Sequence, residues 1–248
     1  MRNFDRVAGI YDSTRGLPDS AMVPVVDALE SKLRGHGRVL DAGVGTGRFA
    51  GPLRDRGLDI VGLDISKEML SKARSKSILN LVRGELATMP FPNRAFESCL
   101  MIHVLHLVDN PSGLLSEIGR VCTSKVLSLV ETSDVESVRE SYIRLRTELG
   151  SPWSGISERN LATLVPPSKM KEIVSYSGET KADDDIAYFS ERLSAVTWDV
   201  PNEIHEKVIS GLNSTMAGRV LKFNRAISLA IWDIAKIRTA RLPPGTGV

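Results

Sequence analysis

The chain of 248 residues is 42% apolar and sets 32 basic against 30 acidic residues, for a formal net charge of +2. That is enough apolar material for one large α/β domain or two small ones, and a single domain is expected. With no block of like charge longer than Asp183, Asp184 and Asp185, nucleic acid and anionic membrane surfaces are disfavoured as main partners.

In chain order, the stretch MRNFDRVAGIYDSTRG lacks the apolar run of a secretory leader, and no later segment reaches the ~18 apolar residues of a membrane helix. Cys99 and Cys122 each sit in an apolar run and read as reduced core thiols, so a cytoplasmic protein, monomeric or homodimeric, is expected. Met22, Val26, Leu29 and Leu33 recur at helical spacing, with Pro24 read as part of the opening turn. Strand-like runs follow at 38–42, 59–64, 79–84, 98–105 and 125–131. Between them Ser66 caps a helix carrying Met69, Leu70 and Ala73. DNPSGLLSEIGRVC opens with a cap and a proline and turns Leu114, Leu115, Ile118 and Val121 inward. This alternation predicts a doubly wound, mostly parallel sheet covered by helices.

Beyond residue 131 the rhythm changes. Helical patterns at 135–149 and 168–177 flank the loop GSPWSGISERN, and so long an insertion at a strand's carboxyl end suits a lid. A helical stretch, VPNEIHEKVISGLNSTM, then precedes a last strand candidate, RAISLAIWDIA, and the tail RLPPGTGV reads as disordered.

The most informative stretch is RVLDAGVGTGRFA, where Gly43, Gly45 and Gly47 directly follow the first strand. Alternating glycines let the backbone turn sharply and approach a ligand. A dinucleotide fingerprint would place its third glycine where Arg48 stands, so the spacing is G-x-G-x-G instead. Asp41, two residues ahead of Gly43, would repel a pyrophosphate and attract a cation.

At these residues the sequence resembles the class I S-adenosylmethionine-dependent methyltransferases, in which an acidic residue and G-x-G-x-G follow the first strand. The resemblance extends through VGLDIS, VRGELATMPFPNRAFE, FESCLMIHVLHLVDNP and LLSEIGRVCTSKVLSLVE. It implies a seven-stranded Rossmann-like sheet with a helical lid and S-adenosylmethionine as cofactor. Asp64 would then receive the ribose hydroxyls, and Glu85 the adenine amino group. Asp41, Gly43, Val44, Gly45, Gly47, Ile65, Met69, Leu86 and His103 would line the cofactor site. FDRVAGIYDSTRG and YFSERLSAVTWDVP further resemble the small-molecule branch that includes the ubiquinone and menaquinone biosynthesis enzymes, making Tyr11 and Arg15 candidates for the ring edge and carboxylate. The implied organisation is a single domain with an N-terminal lid and helix over 1–36, a cofactor core over 37–131, a helical insertion over 132–178 and the final strands and helix over 179–240.

Methyl transfer to a small-molecule acceptor is the leading expectation. A nicotinamide-dependent oxidoreductase and a non-catalytic S-adenosylmethionine-binding protein remain alternatives. His103 and His106 end the fourth strand where an acceptor would approach. His103 is a candidate general base, although packing beside the cofactor is the simpler role, and no carboxylate lies close in sequence to raise its basicity. The H-x-x-H spacing has no third ligand, so no metal is expected. His36 and His205 read as surface residues. Trp153 either walls the acceptor or anchors the insertion. Trp198 and Trp232 read as core or subunit contacts.

Overall fold

The computed structural model describes residues 3–35 and 37–243, with Arg15 described in its backbone only. His36 and the last five residues of the expected tail lie outside the described residues.

The elements run in chain order as α1 (Tyr11–Arg15), α2 (Asp19–Leu33), β1 (Val39–Ala42), α3 (Ala50–Asp55), β2 (Ile60–Asp64), α4 (Lys67–Ser75), β3 (Leu81–Arg83), β4 (Phe96–Leu100), α5 (Pro111–Val121) and β5 (Cys122–Ser133). They continue as α6 (Val138–Glu148), α7 (Glu158–Leu164), β6 (Lys169–Lys181), α8 (Ala182–Ser190), α9 (Asn202–Met216), β7 (Val220–Asp233) and α10 (Ile234–Thr239). Among the described residues the strands form one seven-stranded sheet in the order β3-β2-β1-β4-β5-β7-β6. The pairs β1 with β2, β1 with β4, β2 with β3 and β4 with β5 are all parallel. Every residue of β1 is buried, as a central strand covered on both faces requires.

Strand order reverses between β1 and β4, because the chain builds outward through β2 and β3 and then returns to pair β4 with β1. The turns that leave these two strands therefore flank one crevice at the carboxyl end of the sheet, the place where ligands bind in folds of this kind.

Local chemistry explains the boundaries. Ser66 accepts from the Met69 amide and starts α4. Asn110 caps α5, Pro111 follows in the first turn, and Leu114, Leu115, Ile118 and Val121 are all buried, each worth ~1.5–3 kcal/mol on removal from water. Pro24 lies inside α2 rather than in its opening turn, because the helix begins at Asp19. The largest correction concerns 168–177, expected to be helical, of which 169–177 lie in β6. Met170, Ile173 and Val174 satisfy helical spacing, but from Val174 to Lys181 half-buried and exposed residues alternate strictly, and the strand has a sheet edge beside β7 to join. The fourth strand ends at Leu100, five residues earlier than expected, and this frees 101–107 to form an irregular turn.

The chain divides into two compact units. The first comprises 1–131, 155–174 and 227–248, and the second 132–154 and 175–226. Within the first, Leu40, Leu63, Met101, Leu114, Val126 and Trp232 belong to one buried cluster. The second has its own core around Tyr142, Ile186, Phe189, Val208 and Leu212. No helix among the described residues is long and apolar enough to cross a membrane.

Candidate functional site

Between β1 and α3 the chain turns through Gly43, Gly45 and Gly47 at φ of +79°, +54° and +77°, the left-handed region that side chains strain to enter. Space is a second constraint. A Cβ at Gly43 would strike the Val104 methyls, and one at Gly47 would strike Ile78.

Asp64, at the end of β2, clamps this turn. Its carboxylate accepts from the Gly45 amide at 2.9 Å and the Ser66 amide at 2.9 Å. Burial pushes its pKa up, partly opposed by those amide bonds. Asp41, the penultimate residue of β1 and in register with Gly62 of β2, is 5% exposed. Its carboxylate has no hydrogen-bond partner among the described residues, and burial, with the Asp64 charge added, pushes its pKa up to about 7. Two buried carboxyls facing one crevice form a site that gains from a cation.

Arg48 contributes the opposite charge. Its guanidinium lies 5.4 Å from the Tyr11 ring centroid and 6.0 Å from that of Phe49, and Nη2 is buried with no hydrogen-bond partner. Asp12 does not satisfy it, being engaged by Thr46 Oγ1 at 2.6 Å and Lys76 Nζ at 2.7 Å. The N-terminal segment is fastened a second time where Asp5 accepts from Ser66 Oγ at 2.5 Å and the Glu68 amide at 3.1 Å.

Across the crevice, the turn after β4 carries His103 at φ +55°, a left-handed conformation costing of order 1–3 kcal/mol at a non-glycine residue. Two carboxylates from distant sequence converge on it. Glu131 of β5 places Oε1 2.9 Å from His103 Nε2. Glu158, 4% exposed at the start of α7, accepts from the Val104 amide at 2.8 Å and the Leu105 amide at 3.0 Å. Burial pulls the His103 pKa down, but the bond to Glu131 and the charges of Glu131 and Glu158 outweigh it and the opposing Arg48, leaving the pKa raised.

The fold thus gathers Tyr11, Asp41, Gly43, Gly45, Gly47, Asp64 and His103 at the carboxyl ends of β1, β2 and β4. Val44, Met69 and Leu86 are buried beneath them, Ile65 is half-buried, and Glu85 is exposed on the loop after β3. The Arg15 side chain lies outside the described residues. Trp153 belongs to the second unit, with the Arg146 guanidinium 5.6 Å from its ring centroid. His205, expected on the surface, is 6% exposed, because α9 turns it inward to meet Tyr142 Oη at 2.6 Å. Sequence reading missed Glu131, Glu158 and the unpaired Arg48. Only Arg48 left a signal, as a cation where the dinucleotide pattern demands glycine.

Residues 40–128 match the family model described as a methyltransferase domain. The demethylmenaquinone methyltransferase of Renibacterium salmoninarum is 34% identical over 124 residues, spanning 48% of this chain and 52% of that protein. The malonyl-[acyl-carrier protein] O-methyltransferase of Serratia marcescens is 27% identical over 170 residues, spanning 68% of this chain and 63% of that protein. The chain therefore spans between half and two thirds of the length of these relatives. The structure of the YcgJ protein from Bacillus subtilis superposes with a TM-score of 0.53 at 16% identity, covering 84% of this chain and 97% of that one, a likeness of fold.

Proposed function

We propose that this chain, whose residues 40–128 match a methyltransferase domain, binds S-adenosylmethionine across the glycine turn and transfers its methyl group to a small-molecule acceptor. The observation that carries the reading is the charge layout of the crevice: two buried carboxyls at the ends of β1 and β2, with an arginine N–H that has no partner.

S-adenosylmethionine suits that layout. It has a sulfonium cation, a carboxylate and a ribose diol. Asp64 uses two acceptor positions on the Gly45 and Ser66 amides and keeps others for ribose hydroxyls. Asp41 supplies negative potential for the cation, and Arg48 Nη2 suits the carboxylate better than anything the described residues offer it. Glu85 is the acidic group for the adenine amino nitrogen, and Tyr11 closes the site beneath Arg48. A nicotinamide dinucleotide fits poorly, because its pyrophosphate would meet Asp41.

When bound, the cofactor would supply a methyl group activated by positively charged sulfur. The chain's part is to position the reactants in line and exclude water, so the charge neutralised during transfer is poorly solvated beforehand. Relatives named for demethylmenaquinone and malonyl-[acyl-carrier protein] support a metabolite-type acceptor.

Calorimetry and thermal shift test the reading. S-adenosylmethionine and S-adenosylhomocysteine are expected to bind and, at ~100 times Kd, to add about 2.7 kcal/mol of stability, while NAD and NADP add none. A shift with NAD and none with either sulfur compound overturns it.

A further inference from the structure

We propose that His103 is the general base for the transfer, that Glu131 selects which of its nitrogens accepts the proton, and that the acceptor is a weakly acidic hydroxyl of the phenol or enol class that arrives protonated. This deepens the methyltransferase reading and rests on it.

Placement is the first support. The turn after β4 and the glycine turn after β1 flank the same crevice, and the Val104 methyls fill the space that a Gly43 side chain would need. His103 immediately precedes Val104 in the same turn, which places it on the side of the crevice that meets the proposed cofactor turn.

Preorganisation is the second. The left-handed backbone at His103 is held from one side by Glu158, buried and committed to the Val104 and Leu105 amides. Glu131 holds the ring from the other, with Oε1 2.9 Å from Nε2. A carboxylate pairs with an N–H, so Nε2 carries the proton and Nδ1 keeps its lone pair. Nδ1 has no partner among the described residues, and the side chain is 31% exposed, which leaves the ring open to a small molecule.

The third support is the match of acidity. The groups acting on the ring are Glu131 from β5, Glu158 from α7 and Arg48 from the glycine turn, and they leave it more basic than free imidazole. A ring with one nitrogen held by Glu131 and the other open serves an acid a few units weaker than imidazole itself, the range of phenols and enols. A carboxylate has no proton to give at neutral pH, and an aliphatic alcohol holds its proton too tightly. As the acceptor oxygen bonds to the methyl carbon, its proton moves to Nδ1, the C–S electron pair stays on sulfur, and Glu131 balances the imidazolium charge.

Two measurements on the full chain test this. The first is an NMR titration of the imidazole nitrogens, with H103Q assigning the signal. His103 is expected to titrate above ~6.5 as the Nε2–H tautomer, and E131Q to lower its midpoint by about 1 pH unit. An unchanged midpoint in E131Q, or the Nδ1–H tautomer, overturns the pairing whether or not any methyl is transferred. The second is single-turnover transfer from labelled S-adenosylmethionine to phenol, a 1,3-diketone, benzoate and a primary amine. Expected is transfer to phenol or the diketone, a loss of ~10²–10⁴ in H103Q together with the acidic limb of the pH profile, and in E131Q a limb moved by the shift seen in the titration. Transfer confined to benzoate or the amine, no transfer to any probe despite cofactor binding, or H103Q within tenfold of wild type overturns the base assignment. Failure of S-adenosylmethionine to bind at all is a failure of the methyltransferase reading instead, and calorimetry separates the two.

Discussion

Two arginines, Arg146 buried and Arg48 half-buried, divide the molecule into a region finished by its own contacts and a region left open. Arg146, in the second unit, is 1% exposed and saturated. Nε donates to the Ser151 carbonyl at 2.5 Å and Nη1 to the Val196 carbonyl at 2.6 Å and to Asp199 Oδ1 at 3.1 Å, while Nη2 reaches Ser151 Oγ at 3.1 Å and the Pro152 carbonyl at 3.4 Å. Arg48, in the first unit, stacks on aromatic rings and leaves Nη2 buried and unpaired. A buried donor without a partner costs stability and a satisfied one does not, so the saturated arginine is read as architecture and the unsatisfied one as preparation for a ligand.

The sharpest way to break the contrast is to remove Arg146. Arg146→Ala strands three carbonyls and the Asp199 carboxylate in and around the second unit's core, and a loss of about 3–5 kcal/mol is expected in chemical denaturation. A loss under ~1 kcal/mol would mean that water replaces the guanidinium and the saturation is incidental.

Asp64→Ala comes next, since it withdraws both the clamp on Gly45 and the proposed ribose acceptor. Calorimetry is expected to show S-adenosylmethionine weakened by about 2–4 kcal/mol, with Asp64→Asn between the two. Arg48→Met should reverse the Arg146 pattern. Stability is expected to stay within about 1 kcal/mol of wild type, as the lost ring contacts and the relieved donor offset each other, while cofactor affinity falls by about 1.5–3 kcal/mol. Destabilisation without any loss of affinity would place Arg48 with Arg146.

A pH dependence of comparable size attaches to Asp41. An unfolded aspartate titrates near ~4, whereas Asp41 in the fold titrates at about 7, so the folded chain holds this proton more tightly. The resulting stability is full below ~4, declines as pH climbs from there toward 7, and is gone above. Affinity for a cation runs the other way, because it needs the carboxylate. S-adenosylmethionine binding is expected to tighten roughly tenfold from pH ~6 to ~8 with proton release, measurable by calorimetry in buffers of different ionisation enthalpy. Affinity flat across that window would remove Asp41 from the site.

The smallest effect is expected from Tyr142→Phe. It leaves His205 Nδ1 without the hydroxyl 2.6 Å away and should cost about 1 kcal/mol in stability with no change in cofactor affinity.

Legibility of the two regions differed for the same reason their chemistry does. β1, β2 and the glycine turn were readable because each is specified by neighbours: a short apolar run, then alternating glycines whose positive φ values follow from local sterics. The second unit was less readable. Strand β6, whose latter part from Ser175 belongs to that unit, carries a helical and an alternating pattern at once, and only the partner strand β7 settles between them. His205 shows the same limit, since the polar stretch around it looks solvated until α9 is packed against α6.

By itself the sequence determined the parallel α/β alternation, the turn after β1 and the acids at the ends of β1 and β2, because strand periodicity, glycine sterics and helix capping act within a few residues. Only the tertiary structure decided what surrounds His103. Glu131 lies 28 residues further along and Glu158 55, as the numbering of the chain shows, and both reach it through the neighbouring strand β5 and through the docking of α7 on the amides of Val104 and Leu105. A histidine that looked isolated in CLMIHVLHLV became half of a hydrogen-bonded pair, because parallel sheets bring together strand ends that the chain keeps far apart.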